Sequence, residues 1–174
     1  MHWAARAGQV GAEPASAADT AAGLAALQTL WAGGRAGAFD AAALQRLSGY
    51  LQFVRVRAAQ RLILQDEPGD FMLVVLDGSV AVEHITGGPR VARLAEARPG
   101  DVLGEMALLD AGPRASDCTT RTDCLLAVLE TEALLRLMRE DPQLALVLLA
   151  ALARRLSLRL RQVSTRLSAL LTDV

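Results

Sequence analysis

Pro99-Gly100-Asp101-Val102-Leu103-Gly104-Glu105-Met106-Ala107-Leu108-Leu109-Asp110-Ala111-Gly112-Pro113-Arg114-Ala115-Ser116 is the segment from which the rest of this chain can be read. Pro then Gly at the centre of its first turn suits type II geometry, whose second central residue has positive φ. Gly104 has no Cβ, so backbone amides there can approach an anion closely. Glu105 to Leu109 are good helix formers, and a helix start offers unpaired N–H groups and a positive dipole end. Arg114 returns nine residues after Glu105, so one short loop can aim both side chains at one ligand. A guanidinium fork suits a phosphate, whereas a carboxylate can only accept and suits a sugar hydroxyl. The segment reads as a site for a phosphorylated sugar, with Arg114 on the phosphate and Glu105 on the ribose. The competing reading is a surface salt bridge between these two residues.

Upstream of this segment the hydrophobic period is that of strands. Val54 and Val56 alternate with Arg55 and Arg57, and Arg61 to Gln65 follows. Glu67-Pro68-Gly69-Asp70 supplies a turn, Phe71 to Leu76 a buried strand, Asp77-Gly78 a hairpin signal and Ser79 to Ile85 its partner. Thr86-Gly87-Gly88-Pro89 turns again and Val91 to Ala95 returns to the loop. Beyond it, Cys118 to Thr122 and Leu125 to Glu130 complete about eight short strands with no parallel βαβ pattern. The expected fold is α+β: an antiparallel β-roll (a double-stranded β-helix, jelly-roll-like) with N-terminal helices and a long C-terminal helix. Residues 1–20 are expected as a disordered tail, 21–52 as N-terminal helices, 53–130 as the roll and 131–174 as a hinge helix and the long helix. Leu24 to Trp31 is one short helix, ended by Gly33-Gly34-Arg35-Ala36-Gly37. Asp40 caps the next, with Leu44, Leu47 and Leu51 on one face. Thr131 is expected to cap the hinge helix bearing Leu134, Leu135 and Met138, and Asp141-Pro142 to start the last helix.

Gly104-Glu105-Met106-Ala107-Leu108-Leu109 followed by Pro113-Arg114-Ala115-Ser116 resembles the phosphate-binding cassette of cyclic nucleotide-binding domains. Such domains occur in protein kinase A regulatory subunits, catabolite activator-type regulators and gated ion channels. The resemblance runs from about Phe39 to the C-terminus, and Leu76-Asp77-Gly78-Ser79-Val80 matches the family's central hairpin. Asp66 stands where a Gly is often found. The resemblance implies that Glu105 holds the ribose 2′-hydroxyl and Arg114 the cyclic phosphate. Backbone groups at Gly104, Met106, Ala107 and Ala115 complete the cradle, with Leu103 and Ser116 in the contact set. Family members that favour cGMP often carry Thr after the cassette arginine, so Ala115 fits the cAMP pattern. Aligned on Asp141-Pro142 and Ala153-Arg154-Arg155-Leu156, the two hydroxyl residues that contact adenine in catabolite activator-type proteins fall at Arg159 and Leu160. Arg159 can reach a Hoogsteen edge or a second phosphate, and Leu160 can stack on a purine. cGMP and cyclic di-GMP therefore stay open as ligands beside cAMP. Asp117 would repel a phosphate unless it points away, and strand alternation turns it opposite to Ser116, towards solvent.

The last helix has Leu146, Ala153, Leu160, Leu167 and Val174 at heptad a, and Leu149, Leu156, Val163 and Leu170 at d. A wholly apolar seam signals a coiled coil or close helix pair, and a parallel homodimer is the favoured reading. A helix folded onto its own roll, or one docked on a membrane or another protein, are the alternatives. Leu152 and Leu158 lie off the seam and can cover the roll. The resemblance implies a sensor in which ligand moves the helices flanking the roll, signalling to an effector protein that the sequence does not identify. The chain ends at Val174, where catabolite activator-type regulators continue into a winged helix, so no DNA-reading domain is expected.

Composition narrows the function classes. The 174 residues carry a net charge of −1, with 52% hydrophobic and 3% aromatic residues, which offers no handle for nucleic acid or an anionic membrane. The five arginines of the last helix are unopposed by acids, but no helix-turn-helix accompanies them. The apolar run Leu144 to Ala153 is about half a membrane span, and no export signal is visible. Cys118 and Cys124 form no disulfide framework, so a reducing cytoplasm is expected. They can gather with His84 around a metal in principle, but buried and strand-facing roles are the expectation, with no metal and no cofactor. No nucleophile-base constellation appears, so binding rather than catalysis is expected.

Overall fold

The computed structural model describes residues 2–31, 39–86 and 91–172. The predicted break at Gly33 to Gly37 and the turn at Gly87-Gly88-Pro89 lie outside the described residues. In chain order the elements are α1 (Trp3–Gln9), β1 (Glu13–Pro14), α2 (Ala17–Trp31), α3 (Ala41–Ser48), β2 (Gln52–Val56), β3 (Arg61–Ile63), β4 (Phe71–Asp77) and β5 (Val80–Ile85). There follow β6 (Val91–Ala97), β7 (Val102–Leu103), α4 (Glu105–Asp110), β8 (Asp117–Thr120), β9 (Cys124–Glu130), α5 (Thr131–Glu140) and α6 (Pro142–Thr172).

Strand pairing is antiparallel throughout, in sheets ordered β1-β2-β9-β4-β7 and β3-β8-β5-β6. Alternation along β4 and β9 builds two cores. Phe71, Leu73, Val75, Leu126 and Val128 point between the sheets, where Leu62, Ile63, Val80 and Cys118 of the second sheet meet them. Met72, Val74, Leu76, Leu125, Ala127 and Leu129 point outwards and are covered by Leu27, Leu44, Leu47, Leu137, Leu148 and Leu152 of the helices. Both faces of these strands are thus buried, which is why they read as continuous apolar runs. The roll is the expected fold, with α2, α3, α5 and α6 on one outer face.

Turn chemistry agrees with the sequence. Gly100 has φ +96° and the Asp101 N–H donates to Arg98 O at 2.9 Å, closing the Pro99-Gly100 turn. Asp66, in the place of a frequent Gly, takes φ +65°, a conformation that Asp tolerates better than most side chains. Asp40 caps α3 by accepting from the Ala43 N–H at 2.6 Å.

Two expectations are corrected. Residues 2–20 are not a disordered tail: α1, β1 and the first turn of α2 are ordered, and Trp3 is 2% exposed within the inter-sheet core. Ser16-Ala17-Ala18-Asp19 is a reciprocal cap, with the Asp19 N–H donating to Ser16 Oγ and the Ser16 N–H to Asp19 Oδ2. The Ala-rich composition hid it. Thr131 is the first residue of α5 rather than its cap, and its hydroxyl donates to Asp70 O at 3.0 Å. The buried face of α5 is Leu134 and Leu137, while Leu135 and Met138 are 47% and 44% exposed.

Asp141 caps α6, accepting from the Leu144 N–H at 3.0 Å and from Arg46 Nε at 2.9 Å. These two bonds, the backbone one first, hold its carboxyl below the ordinary range. A depressed pKa contributes stability above the unfolded value and loses it as pH falls through the folded value. Below about pH 4 the α5–α6 junction is therefore expected to exchange its amides faster. Asp141→Asn, which still caps but does not titrate, should show no such acid step in hydrogen exchange.

Candidate functional site

β7 ends at Leu103 and the chain turns through Gly104 (φ +76°) into α4. A Cβ on Gly104 would lie 2.5 Å from Arg114 Nη1 and 3.2 Å from Phe71 O, so this left-handed residue also has to be small. Glu105, the first residue of α4, is 4% exposed, and Arg114, in the loop before β8, is equally buried. Glu105 and Arg114 do not form the surface salt bridge of the competing reading.

Arg114 is held from several sides. Its Nη1 donates to Gly104 O at 2.9 Å, its Cζ lies 4.4 Å from the centroid of the Phe71 ring, and Gly69 packs against the guanidinium. A Cβ on Gly69 would meet Arg114 Nε at 1.9 Å. Among the described residues, Arg114 has no carboxylate partner and its buried Nη2 has no hydrogen-bond acceptor. Burial pushes its pKa down from the ordinary value, yet guanidinium remains a cation at neutral pH. A buried cation with an unused N–H suits an incoming anion.

Leu103, Gly104, Glu105, Met106, Ala107, Arg114, Ala115 and Ser116 all line one cavity of about 510 Å³. Arg159 reaches it from α6. Its Nη1 donates to Glu105 Oε1 at 2.9 Å and its Nη2 to Val102 O at 3.3 Å. Arg155 donates to Gly100 O at 2.7 Å, so α6 is tied to the first part of the segment that carries the site, from Gly100 to Glu105.

Leu160 is a correction. It is 66% exposed and does not line the cavity; Gln162 and Val163 do, from the face that carries Arg159. Successive helical residues turn about 100°, so i, i+3 and i+4 share a face that i+1 leaves. That spacing was the available signal for Gln162 and Val163. β6 adds a wall, Leu94 to Ala97, that no motif marked.

Asp117 is opposite in facing to Ser116 and Cys118, as alternation requires, but it is not solvent-facing. It is 7% exposed, bonded to Arg61, and accepts from the Gln65 N–H at 2.7 Å, so its charge is neutralised away from the cavity. Cys118 lines the cavity, and burial pushes its thiol up to about 12, which leaves it protonated and a weak nucleophile. Cys124 is also a buried free thiol, and His84 Nδ1 lies 3.1 Å from Ala115 O. Among the described residues, no three His, Cys, Asp or Glu side chains cluster as metal ligands, and no helix is long and apolar enough to cross a membrane.

The chain is 31% identical over 144 residues to the CRP-like cAMP-activated global transcriptional regulator of Mycobacterium tuberculosis, covering 80% of this chain. It spans 62% of that relative's length. A cyclic nucleotide-binding domain from Methylobacillus flagellatus superposes with a TM-score of 0.81 at 25% identity, over 89% of this chain and 86% of that one. The catabolite activator protein of Thermus thermophilus gives 0.66 at 29% identity, over 81% and 62%. Residues 53–141, just over half of the sequence and running from Phe53 in β2 past the end of β9, match the model of the cyclic nucleotide-binding domain, and the chain belongs to that family.

Proposed function

We propose that this chain is a cyclic nucleotide sensor that binds its ligand without catalysis, with cAMP preferred. The observation that carries the reading is the buried Arg114 guanidinium, its Nη2 unpartnered among the described residues, in the same cavity as the buried Glu105 carboxylate. Arg114 takes the cyclic phosphate and Glu105 the ribose hydroxyl. The first-turn N–H groups of α4, which helix geometry leaves without intrahelical partners, complete the cradle with Ala115. Ala115 and the cAMP-activated relative support cAMP, while Arg159 keeps cGMP and cyclic di-GMP in the comparison. The two free buried thiols fit a reducing cytoplasm.

Signalling proceeds by population shift: ligand favours one arrangement of α5 and α6 against the roll. Arg159 supports this, because the carboxylate that receives the ribose also holds α6. Dimerisation is through the α6 seam. Leu146, Leu160 and Val163 are exposed, and Leu149 and Leu156 partly so, while Leu144, Leu148 and Leu152 serve the core. The side chains of Leu167 and Leu170 lie outside the described residues.

A second reading has one observation in its favour. Arg159 already occupies Glu105, as it would in a scaffold that keeps the roll and binds no nucleotide. Calorimetric titration of nucleotide-stripped protein with cAMP, cGMP and cyclic di-GMP separates the two. Micromolar or tighter binding of one establishes the sensor, and no binding of any establishes the scaffold. Hydrogen exchange that ligand leaves unchanged from Thr131 to Leu170 would remove the proposed signalling route. Gly69→Ala is expected to weaken binding about tenfold with little change in melting temperature, because the guanidinium end of Arg114 is what must move.

A further inference from the structure

The N-terminal helix lies outside the segment that defines the family, yet it reaches the underside of the phosphate site. Trp3 meets Phe71 edge-on, with ring centroids 5.1 Å apart and planes at 66°. The same Phe71 ring carries the Arg114 guanidinium. Arg6, 6% exposed, donates from Nη2 to the Glu67 carboxylate, and His2 pairs with the Asp70 carboxylate.

The loop that these residues grip is the one that holds Arg114. The Arg114 N–H donates to Glu67 O, and the Asp66 N–H to Arg114 O, each at 2.9 Å. Gly69 of the same loop packs on the guanidinium. Asp70 O receives the Thr131 N–H at 2.7 Å as well as its hydroxyl, so the loop also meets the start of α5. Arg6, Glu67 and Asp70 are close enough to act on the Arg114 charge. Residues 66–70 therefore join α1, the phosphate arginine and the hinge helix.

We propose that α1 is a positioning element of the phosphate site: Trp3 through Phe71, and Arg6 through Glu67, hold Arg114 in place, and nucleotide occupancy in turn tightens α1 onto the roll. The inference rests on Arg114 receiving the phosphate, as read above. Its physical basis is preorganisation. A long side chain fixed before the ligand arrives loses less freedom on binding, and the loop that fixes it is itself fixed by α1. Coupling between two equilibria is reciprocal, so whatever α1 contributes to affinity the nucleotide returns as protection of α1.

The test uses the full chain, titrated calorimetrically with cAMP, cGMP and cyclic di-GMP in parallel. Arg6→Gln is expected to weaken binding about fivefold or more. Trp3→Ala should do the same, and Trp3→Phe, which keeps a ring edge against Phe71, should restore most of the affinity. Amide exchange of residues 3–10 in wild-type protein is expected to slow on saturation with the nucleotide that binds. A purely structural plug would lower the melting temperature of the variants but leave the affinity of the folded protein unchanged; that result in Arg6→Gln overturns the proposal. Should Arg6→Gln not fold, α1 exchange that nucleotide leaves unaltered overturns it instead. Wild-type protein that binds none of the three nucleotides removes the reading of the site, and this inference with it. Wild-type binding beside equally tight variants removes only the inference.

Discussion

Arg114→Ala is expected to reduce cyclic nucleotide affinity tenfold or more while leaving the protein at least as resistant to urea as wild type. A hydrogen bond to a charged group is worth about 1.5–3 kcal/mol, which corresponds to about tenfold to 150-fold in dissociation constant. The stability half of the expectation follows from burial. Arg114 is 4% exposed, and among the described residues it has no carboxylate partner and leaves Nη2 unpartnered. A buried charge with no carboxylate bonded to it costs folding free energy, and the free protein bears that cost so that a phosphate can recover it. Removing the guanidinium relieves it, at the expense of one bond to Gly104 O and the packing on Phe71. Calorimetry and urea unfolding of the same variant separate the two quantities. Strong destabilisation with unchanged affinity would make Arg114 a structural residue and end the sensor reading.

Leu160→Glu is expected to convert a dimer to monomer. The α6 helix has two apolar faces. One, with Leu144, Ala145, Leu148 and Leu152, is buried against the roll and the other helices. The other includes Leu146 at 69% and Leu160 at 66% exposure, with no cover from the protein's own core. In a twofold seam the a position of one helix faces its counterpart, so a single substitution buries two carboxylates at once. Two such groups destabilise the pair by about 3 kcal/mol or more, roughly a hundredfold in dissociation constant. Sedimentation velocity at micromolar concentration reads the change, and the melting temperature of the monomer should barely move because Leu160 is exposed within one chain. A wild-type protein that sediments as a monomer would refute the seam.

The parts of this protein legible in the sequence are those whose chemistry is decided by near neighbours. Pro99-Gly100 demanded a positive φ at Gly100, Gly104 demanded a close approach, and Glu105 and Arg114 stand one short loop apart. The continuous apolar run of β4 announced a buried strand. Asp40 and Asp141 marked helix starts by their position alone.

Other features were set by which surfaces the fold presses together. Arg159 was placed near the site only through the family resemblance, and its carboxylate partner, 54 residues away, follows from how α6 packs on the roll. Leu160 fell outside the cavity because a helix rotates each residue away from the last, and only packing selects the face turned inwards. Asp117 is buried rather than solvated because Arg61 on the adjacent strand β3 neutralises it. The N-terminal helix looked like a tail because its residues have little hydrophobic periodicity of their own. Trp3 and Arg6 become ordered by Phe71 and by Glu67, the latter 61 residues along the chain, and no local pattern can record contacts of that range. Turns, caps and cassette were therefore written in residue spacing, whereas the pairings that couple the site to both ends of the chain arose from tertiary packing.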